Sequence, residues 1–167
     1  PVSLRHGMEE LIRRETHHAR DGKGGHIRAK MNALVDPAII ALLYEASLAG
    51  VKIELVIRGV CCLRPGLQGV SENIRVVSVI GRFLEHSRIF WFANAGQPEI
   101  FVGSADWMPR NLDRRVEAVA PIDDPGLREQ LESLLDLYLQ DTSAWHMRSD
   151  GEFIQEPFEG EPRATQT

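Results

Sequence analysis

The segment from Asp36 to Arg58 constrains the fold more than any other part of this sequence. Asp36–Pro37 marks a helix start, with aspartate as the cap and proline in the first turn. Ala38–Ala49 is apolar enough to be a crossover helix packed on a sheet, and Gly50 closes it. Val51–Ile57 then runs on as an apolar strand that ends in Arg58. A buried helix leading directly into a buried strand points to an α/β architecture.

The flanking segments extend this pattern. Gly7–Arg20 places Met8, Leu11, Ile12 and Ala19 among charged residues, as an amphipathic helix does, and Asp21–Gly25 stops it. His26–Met31 reads as a short strand, with Ile27 and Ala29 on one face and His26, Arg28 and Lys30 on the other. Ile74–Ile80 is a further strand, and His86–Phe92 pairs with Glu99–Val102 across the turn-forming segment Ala93–Pro98. Arg115–Ala120 reads as a strand and Pro125–Gln140 as a helix that buries Leu127, Leu131, Leu134, Leu135 and Tyr138. After Asp141 the chain reads as irregular. The expectation is an α/β fold, a mixed sheet flanked by helices, in one domain over residues 1–153 with a flexible tail over 154–167.

Composition excludes several classes. With 43% hydrophobic residues the chain can bury a core, and it holds no apolar run long enough to suggest a membrane span and no basic, apolar leader. Cys61 and Cys62 are adjacent and form no disulfide framework, so a reducing, cytoplasmic setting is expected, and both read as buried loop thiols. Although the net charge is −5, residues 58–115 carry eight arginines against five acids. Arginine favours planar, bidentate recognition of phosphate. An acidic total without a basic run argues against a nucleic-acid partner. There is neither a Gly-x-Gly-x-x-Gly segment after a strand nor a glycine–lysine phosphate loop, so nucleotide phosphates would have to be held by side chains.

The chemistry-bearing residues gather around His86. Arg58 follows one strand, Arg88 lies two residues beyond His86, and Gly103–Ser104–Ala105–Asp106 follows another strand. Histidine, arginine, hydroxyl and carboxylate together suit phosphate chemistry. Lys30 and Asn32 fall at a strand end as a point charge and a neutral donor, although an exposed lysine is also an ordinary surface feature. Arg64 and Arg82 extend a possible anion track. Asp106, Arg110, Asn111, Arg114 and Arg115 form the densest polar cluster, in which Asp106 and Asp113 are expected to orient arginines rather than bind metal. Trp107 is the aromatic candidate for a support beneath the site. His17 and His18 read as surface residues, while His26 and His146 have no partner identifiable from sequence.

Five segments, KMNALVD at Lys30–Asp36, LVIRGVCCLRPG at Leu55–Gly66, SENIRV at Ser71–Val76, GRFLEHSRIF at Gly81–Phe90 and GSADWMPRNLDRRVEA at Gly103–Ala118, carry a resemblance. Together they resemble the last catalytic domain of the bacterial polyphosphate kinases, over about residues 5–153. The resemblance implies a phospholipase-D-like domain, the second of a tandem pair facing its partner across the active site. It implies reversible transfer of the terminal phosphoryl group of ATP to inorganic polyphosphate, with the phosphorylated histidine and most of the magnesium and adenine site in a preceding domain. An isolated chain of this kind is then expected to be inactive.

The resemblance assigns His86 as a second catalytic histidine, acting as acid or base or steadying the phosphoryl group. Arg58 and Arg88 join it as catalytic residues, and Lys30, Asn32, Arg64, Ser104, Arg110 and Asn111 as ligand-binding ones, Arg110 on the polyphosphate side. No metal ligand is assigned. Cofactors would be Mg²⁺ and ATP in the full-length enzyme; partners would be polyphosphate, ATP or ADP, the upstream domains and a second copy in a homo-oligomer. The expected location is cytoplasmic, with peripheral membrane association as an option for the full-length enzyme. The phospholipase-D pattern is not fully met: Arg88 stands at the lysine position and Ala93 at the acidic one. The alternative reading is a non-catalytic polyphosphate- or anion-binding or interaction module.

Overall fold

The computed structural model describes residues 3–155. In chain order these form α1 (Leu4–Arg20), β1 (His26–Met31), α2 (Pro37–Leu48), β2 (Lys52–Ile57), β3 (Ile74–Ser78), β4 (Ile89–Phe92), β5 (Glu99–Gly103), β6 (Val119–Pro121), α3 (Pro125–Leu139), β7 (Trp145–Met147) and β8 (Phe153–Gln155). The strands join one sheet in the order β6-β5-β4-β1-β2-β3-β7-β8. β1, β2 and β3 are parallel, whereas β4, β5 and β6 on one side and β7 and β8 on the other are antiparallel to their neighbours. This is the mixed sheet flanked by helices that the sequence predicts.

Alternation along the central strands determines what packs on each face. Ile27, Ala29 and Met31 of β1 and Ile53, Leu55 and Ile57 of β2 join Met8 and Ile12 of α1 and Leu42, Leu43 and Ala46 of α2 in one core. Val56 and Val77 project to the opposite face, against Tyr138 and Leu139 of α3. His26, Arg28 and Lys30 lie on that face too. It is not a solvated face, since α3 covers it and leaves Arg28 7% and Lys30 1% exposed.

Asp36 caps α2 as predicted, accepting from the amides of Ala38 and Ile39 at 3.1 and 3.0 Å. It also takes both terminal nitrogens of Arg5, whose Nε reaches Asp113, so one guanidinium ties α1 to the start of α2 and to the Arg110–Arg114 turn. Burial alone would raise the pKa of Asp36, but Arg5 and the two amides outweigh it and hold the carboxyl below its ordinary range.

Several expectations are corrected. The segment after Asp141 is not irregular, because β7 and β8 form a hairpin that extends the sheet beyond β3, and β8 runs to Gln155. The strand expected at Arg115–Ala120 shrinks to Val119–Pro121; the residues before it follow a single wide π-type turn at Arg110–Arg114. Strand β4 begins only at Ile89, which leaves His86 and Arg88 on the segment leading into it. Leu127 is 49% exposed near the start of α3, while Leu135 and Tyr138 are buried as predicted. Cys62 is exposed; Cys61 is half-buried, and burial pushes its thiol up to about 11. The tail expected beyond residue 153 lies, from residue 156 onward, outside the described residues.

Candidate active site

Strand register brings the polar residues to one end of the sheet. Met31 pairs with Ile57 in the parallel β1–β2 ladder, so the next residues, Asn32 and Arg58, leave the sheet side by side. Lys30 pairs with Ile89 and Ile89 with Val102, which puts the entry to β4 and the exit from β5 at the same end. His86 and Arg88 precede β4, and Ser104 and Asp106 follow β5. Ends of this kind are where ligands meet α/β sheets.

Asn32 is the hub. Its backbone N–H donates to Asp106 Oδ1 at 2.7 Å, and its side-chain Oδ1 accepts from Arg58 Nε at 2.8 Å. Donation by the guanidinium identifies that amide atom as the oxygen. His86 Nδ1 lies 3.3 Å from the same oxygen, which can only accept, so Nδ1 carries the proton and donates it. Nε2 of the neutral ring is then the basic nitrogen. Arg88 completes the cluster with Nε and Nη2 each 3.1 Å from an oxygen of Asp106, and with Nη1 donating to the His86 carbonyl at 2.8 Å.

The electrostatics favour the neutral imidazole. Arg88 is the largest influence, slight desolvation adds to it, and Arg58 and Lys30 act in the same sense against Asp106; together they hold His86 below its ordinary pKa of 6.5. An exposed, largely neutral histidine among fixed cations can take a proton at neutral pH and can pass it back. Arg58 carries permanent positive charge at this end of the sheet, while the charge of Arg88 is paired with Asp106.

Beside this cluster, Ser104 donates to the carboxylate of Glu117, and Asn111 Nδ2 donates to the other oxygen of the same group. These bonds, led by the one from Ser104, hold the Glu117 carboxyl below its ordinary range. Ser104 and Arg88 also border a groove of about 460 Å³, lined with Ile89, Val102, Leu131 and Leu134. The carboxylates here are committed to other partners: Asp106 to Arg88 and Asn32, Glu117 to Ser104 and Asn111. Among the described residues no three His, Cys, Asp or Glu side chains gather as a metal site. Mg²⁺ is commonly held by one or two carboxylates together with waters and substrate phosphates, and the two carboxylates at this end, Asp106 and Glu117, are engaged by protein donors.

The family model described as polyphosphate kinase C-terminal domain 2 matches residues 1–166. The chain belongs to this family. It is 68% identical over 163 residues to a polyphosphate kinase of Parasynechococcus marenigrum, covering 96% of this chain and 23% of that protein. It is 70% identical over 156 residues to one from Prochlorococcus marinus, covering 93% of this chain and 22% of that protein. The chain thus spans under a quarter of the length of these relatives. The crystal structure of polyphosphate kinase from Porphyromonas gingivalis matches with a TM-score of 0.91 at 40% identity, over 96% of this chain and 25% of that one. A phospholipase D family member, Nuc from Salmonella typhimurium, matches with a TM-score of 0.53 at 16% identity, over 85% of this chain and 89% of that one. That second likeness concerns the fold.

In this polyphosphate kinase domain, Asn32, Arg58, His86 and Arg88 meet in one hydrogen-bonded cluster with Asp106. Ser104 and Asn111 meet at Glu117 instead. Arg64 and Arg110 are exposed and outside both networks. Lys30, expected as a point charge for a ligand, is buried and donates to the carbonyls of Glu85 and Ser87 at 3.0 and 3.1 Å. Asp106 and Asp113 do orient arginines, Arg88 and Arg5 respectively. Trp107 lies buried beneath the site end and stacks on Phe90 at 5.4 Å. Ala93, at the acidic position of the phospholipase-D pattern, follows the far end of β4, and the partner of His86 is instead Asn32, just past the end of β1.

Sequence reasoning missed Glu85, Glu117 and Tyr138 as parts of these networks, and it missed the partner of His26, Glu54, at 2.8 Å. Glu85 adjoins His86 and could have been flagged by that adjacency. For the other three, no spacing in the sequence signals the contact.

Proposed function

We propose that this chain contributes one side of the phosphoryl-transfer site of a polyphosphate kinase, which moves the terminal phosphoryl group of ATP reversibly onto inorganic polyphosphate. The observation that carries this reading is the cluster at the sheet end, where a neutral histidine with an available Nε2 stands between two oriented arginines. Phosphoryl transfer needs positioning and charge stabilisation more than elaborate covalent chemistry from the protein. Arg58 and Arg88 stabilise the charge on the transferring group, and His86 Nε2 accepts or returns a proton at an oxygen of that group.

The covalently phosphorylated histidine belongs to another part of the longer protein, as does the Mg²⁺ that accompanies ATP. That division agrees with the small share of its relatives that this chain spans and with the commitment of Asp106 and Glu117 to other partners. The upstream domains are then obligatory partners, and the full-length enzyme works in the cytoplasm as a homo-oligomer. No helix among the described residues is long and apolar enough to cross a membrane.

The test is turnover in both directions by the full-length enzyme, as wild type, His86→Ala and His86→Gln. Loss of proton transfer typically lowers the rate about 10²–10⁴-fold. Glutamine can keep the hydrogen bond to Asn32 but cannot take a proton, so an acid–base role predicts two nearly equal defects. Partial rescue by glutamine would assign His86 to hydrogen bonding of the phosphoryl group instead. Near-normal turnover in both variants would remove His86 from the chemistry. Polyphosphate binding without any turnover by the wild-type enzyme would favour an anion-binding module.

A further inference from the structure

Three consecutive carbonyls around His86 all accept from cations. Lys30 Nζ donates to Glu85 O at 3.0 Å and to Ser87 O at 3.1 Å, and Arg88 Nη1 donates to His86 O at 2.8 Å. Lys30 is 1% exposed, which is rare for a lysine and costly unless its donors are satisfied. Its ammonium also lies 5.4 Å from the centroid of the Tyr138 ring, on α3, and the Tyr138 hydroxyl donates to the Glu85 carboxylate. One buried cation on β1 and one tyrosine on α3 thereby hold the same short segment, on which His86 is otherwise exposed.

Residues 79–88 lie between β3 and β4, outside the sheet ladder. Val79 at its start is buried, but Ile80, Phe83 and Leu84 are each more than 60% exposed, so apolar packing does little to fix the rest of the segment. The charge-assisted bonds from Lys30 supply what packing does not.

We propose that Lys30 is a positioning residue, whose ammonium holds the carbonyls on either side of His86 and so fixes the imidazole for phosphoryl transfer. Tyr138 is the second point of the clamp, since it carries the ammonium on its ring and anchors Glu85 through its hydroxyl. Burial lowers the Lys30 pKa to about 8, with Arg58 and Arg88 acting in the same sense and Glu85 and Asp106 against it. Around neutral pH the ammonium form still dominates, and the bonds keep their ionic character.

The inference rests on the phosphoryl-transfer reading for its consequence but not for its geometry, and the experiment separates the two. Backbone order parameters for Glu85–Arg88 are measured by NMR in the 167-residue chain, as wild type, Lys30→Met, Lys30→Arg and Tyr138→Phe. Values near 0.85 in the wild type should fall below about 0.6 in Lys30→Met, with a smaller fall in Tyr138→Phe. The order of β1 and β2 should not change. Tyr138→Phe keeps the ammonium and the ring and so tests only the bond to Glu85; Lys30→Arg, which keeps a cation but not the geometry of the two carbonyl bonds, decides the question if Lys30→Met does not fold. Unchanged order parameters in the folded variants would overturn the clamp.

In the full-length enzyme, Lys30→Met should lower kcat about 10²-fold, the scale expected for a misplaced reacting group, and leave KM for polyphosphate close to its wild-type value. A rise in KM with kcat unchanged would make Lys30 a ligand contact and overturn the positioning role. Loosened order parameters with normal turnover would overturn it too. If the wild-type enzyme shows no phosphoryl transfer, the functional reading fails while the order parameters still decide the clamp.

Discussion

His86 Nδ1 and Asn32 Oδ1 are 3.3 Å apart, and the same oxygen accepts from Arg58 Nε at 2.8 Å. An amide thus stands where a carboxylate would otherwise orient a catalytic imidazole. The choice has an electrostatic effect: an amide fixes the tautomer but lacks the negative charge by which a carboxylate favours the imidazolium, and Arg88 and Arg58 help to keep the ring below its ordinary pKa.

Asn32→Asp should reverse that balance. A carboxylate facing Nδ1 favours the charged ring, so the His86 pKa rises and the acid limb of turnover moves to higher pH. Arg88→Gln should move the His86 pKa in the same direction, because Arg88 is the largest influence lowering it. Titration of the His86 Cε1–H resonance reads both changes directly. An unmoved or lowered pKa in Asn32→Asp would show that Asn32 does not face the ring in solution.

Asp106 anchors two partners at once, the Arg88 guanidinium and the Asn32 amide, with its side chain 9% exposed and that of Arg88 12%. Asp106→Ala leaves a largely buried guanidinium without its counter-charge, and breaking such a pair costs about 3–5 kcal/mol. Urea unfolding should show a loss of about that size, with a smaller one for Asp106→Asn, whose single carbonyl oxygen can still accept from Asn32 N–H and Arg88 Nε but not from Arg88 Nη2. A loss under about 1 kcal/mol in Asp106→Ala would mean that water takes over the contact.

Glu54 gives a pH signature away from the site. The hydrogen bond from His26 is the largest cause that pulls its pKa to about 2, and Lys52 adds to it against burial. Because the folded pKa is depressed, the stabilisation is present above the unfolded value, near 4.5, and is lost as pH falls toward 2. Between about pH 6 and pH 3 the wild type should lose about 2 kcal/mol more stability than Glu54→Gln, by linkage across that interval. Parallel stability curves for the two proteins would remove the His26–Glu54 contact from the account.

The parts of the fold legible in the sequence are those that local chemistry specifies. Asp36–Pro37 announces α2, and alternation in His26–Met31 separates Ile27 and Ala29 from Arg28 and Lys30. The hairpin at Trp145–Met147 and Phe153–Gln155 was not legible, because each strand has only three residues and pairing with β3 creates it. The same limit applies at the site. His86, Arg58 and Arg88 stand out by residue type and motif, whereas the burial of Lys30 depends on α3 and its Tyr138, about a hundred residues away. Charge alone reads Lys30 as a ligand contact; only the position of Tyr138 above it shows an internal cation.

Gly59 provides the last prediction, since it sits where two site residues leave the sheet. Its N–H donates to Asn32 O at 2.9 Å, and a Cβ built on it would lie 2.9 Å from that same oxygen. The obstructing atom is backbone, so no rotamer change can relieve the contact. Gly59→Ala must therefore move the chain after Arg58 away from the chain after Met31, and the Arg58–Asn32 hydrogen bond lies directly across that gap. Asn32 in turn sets the His86 tautomer, so the displacement reaches the imidazole through a single residue. Turnover by the full-length enzyme should fall by about 10²-fold, the scale for a misplacement near 1 Å. Gly59 is exposed, so stability should change by only about 1 kcal/mol or less. A crystal structure of the variant with the Arg58–Asn32 bond intact, together with normal turnover, would show that the loop absorbs the methyl group and that Gly59 does not maintain the site.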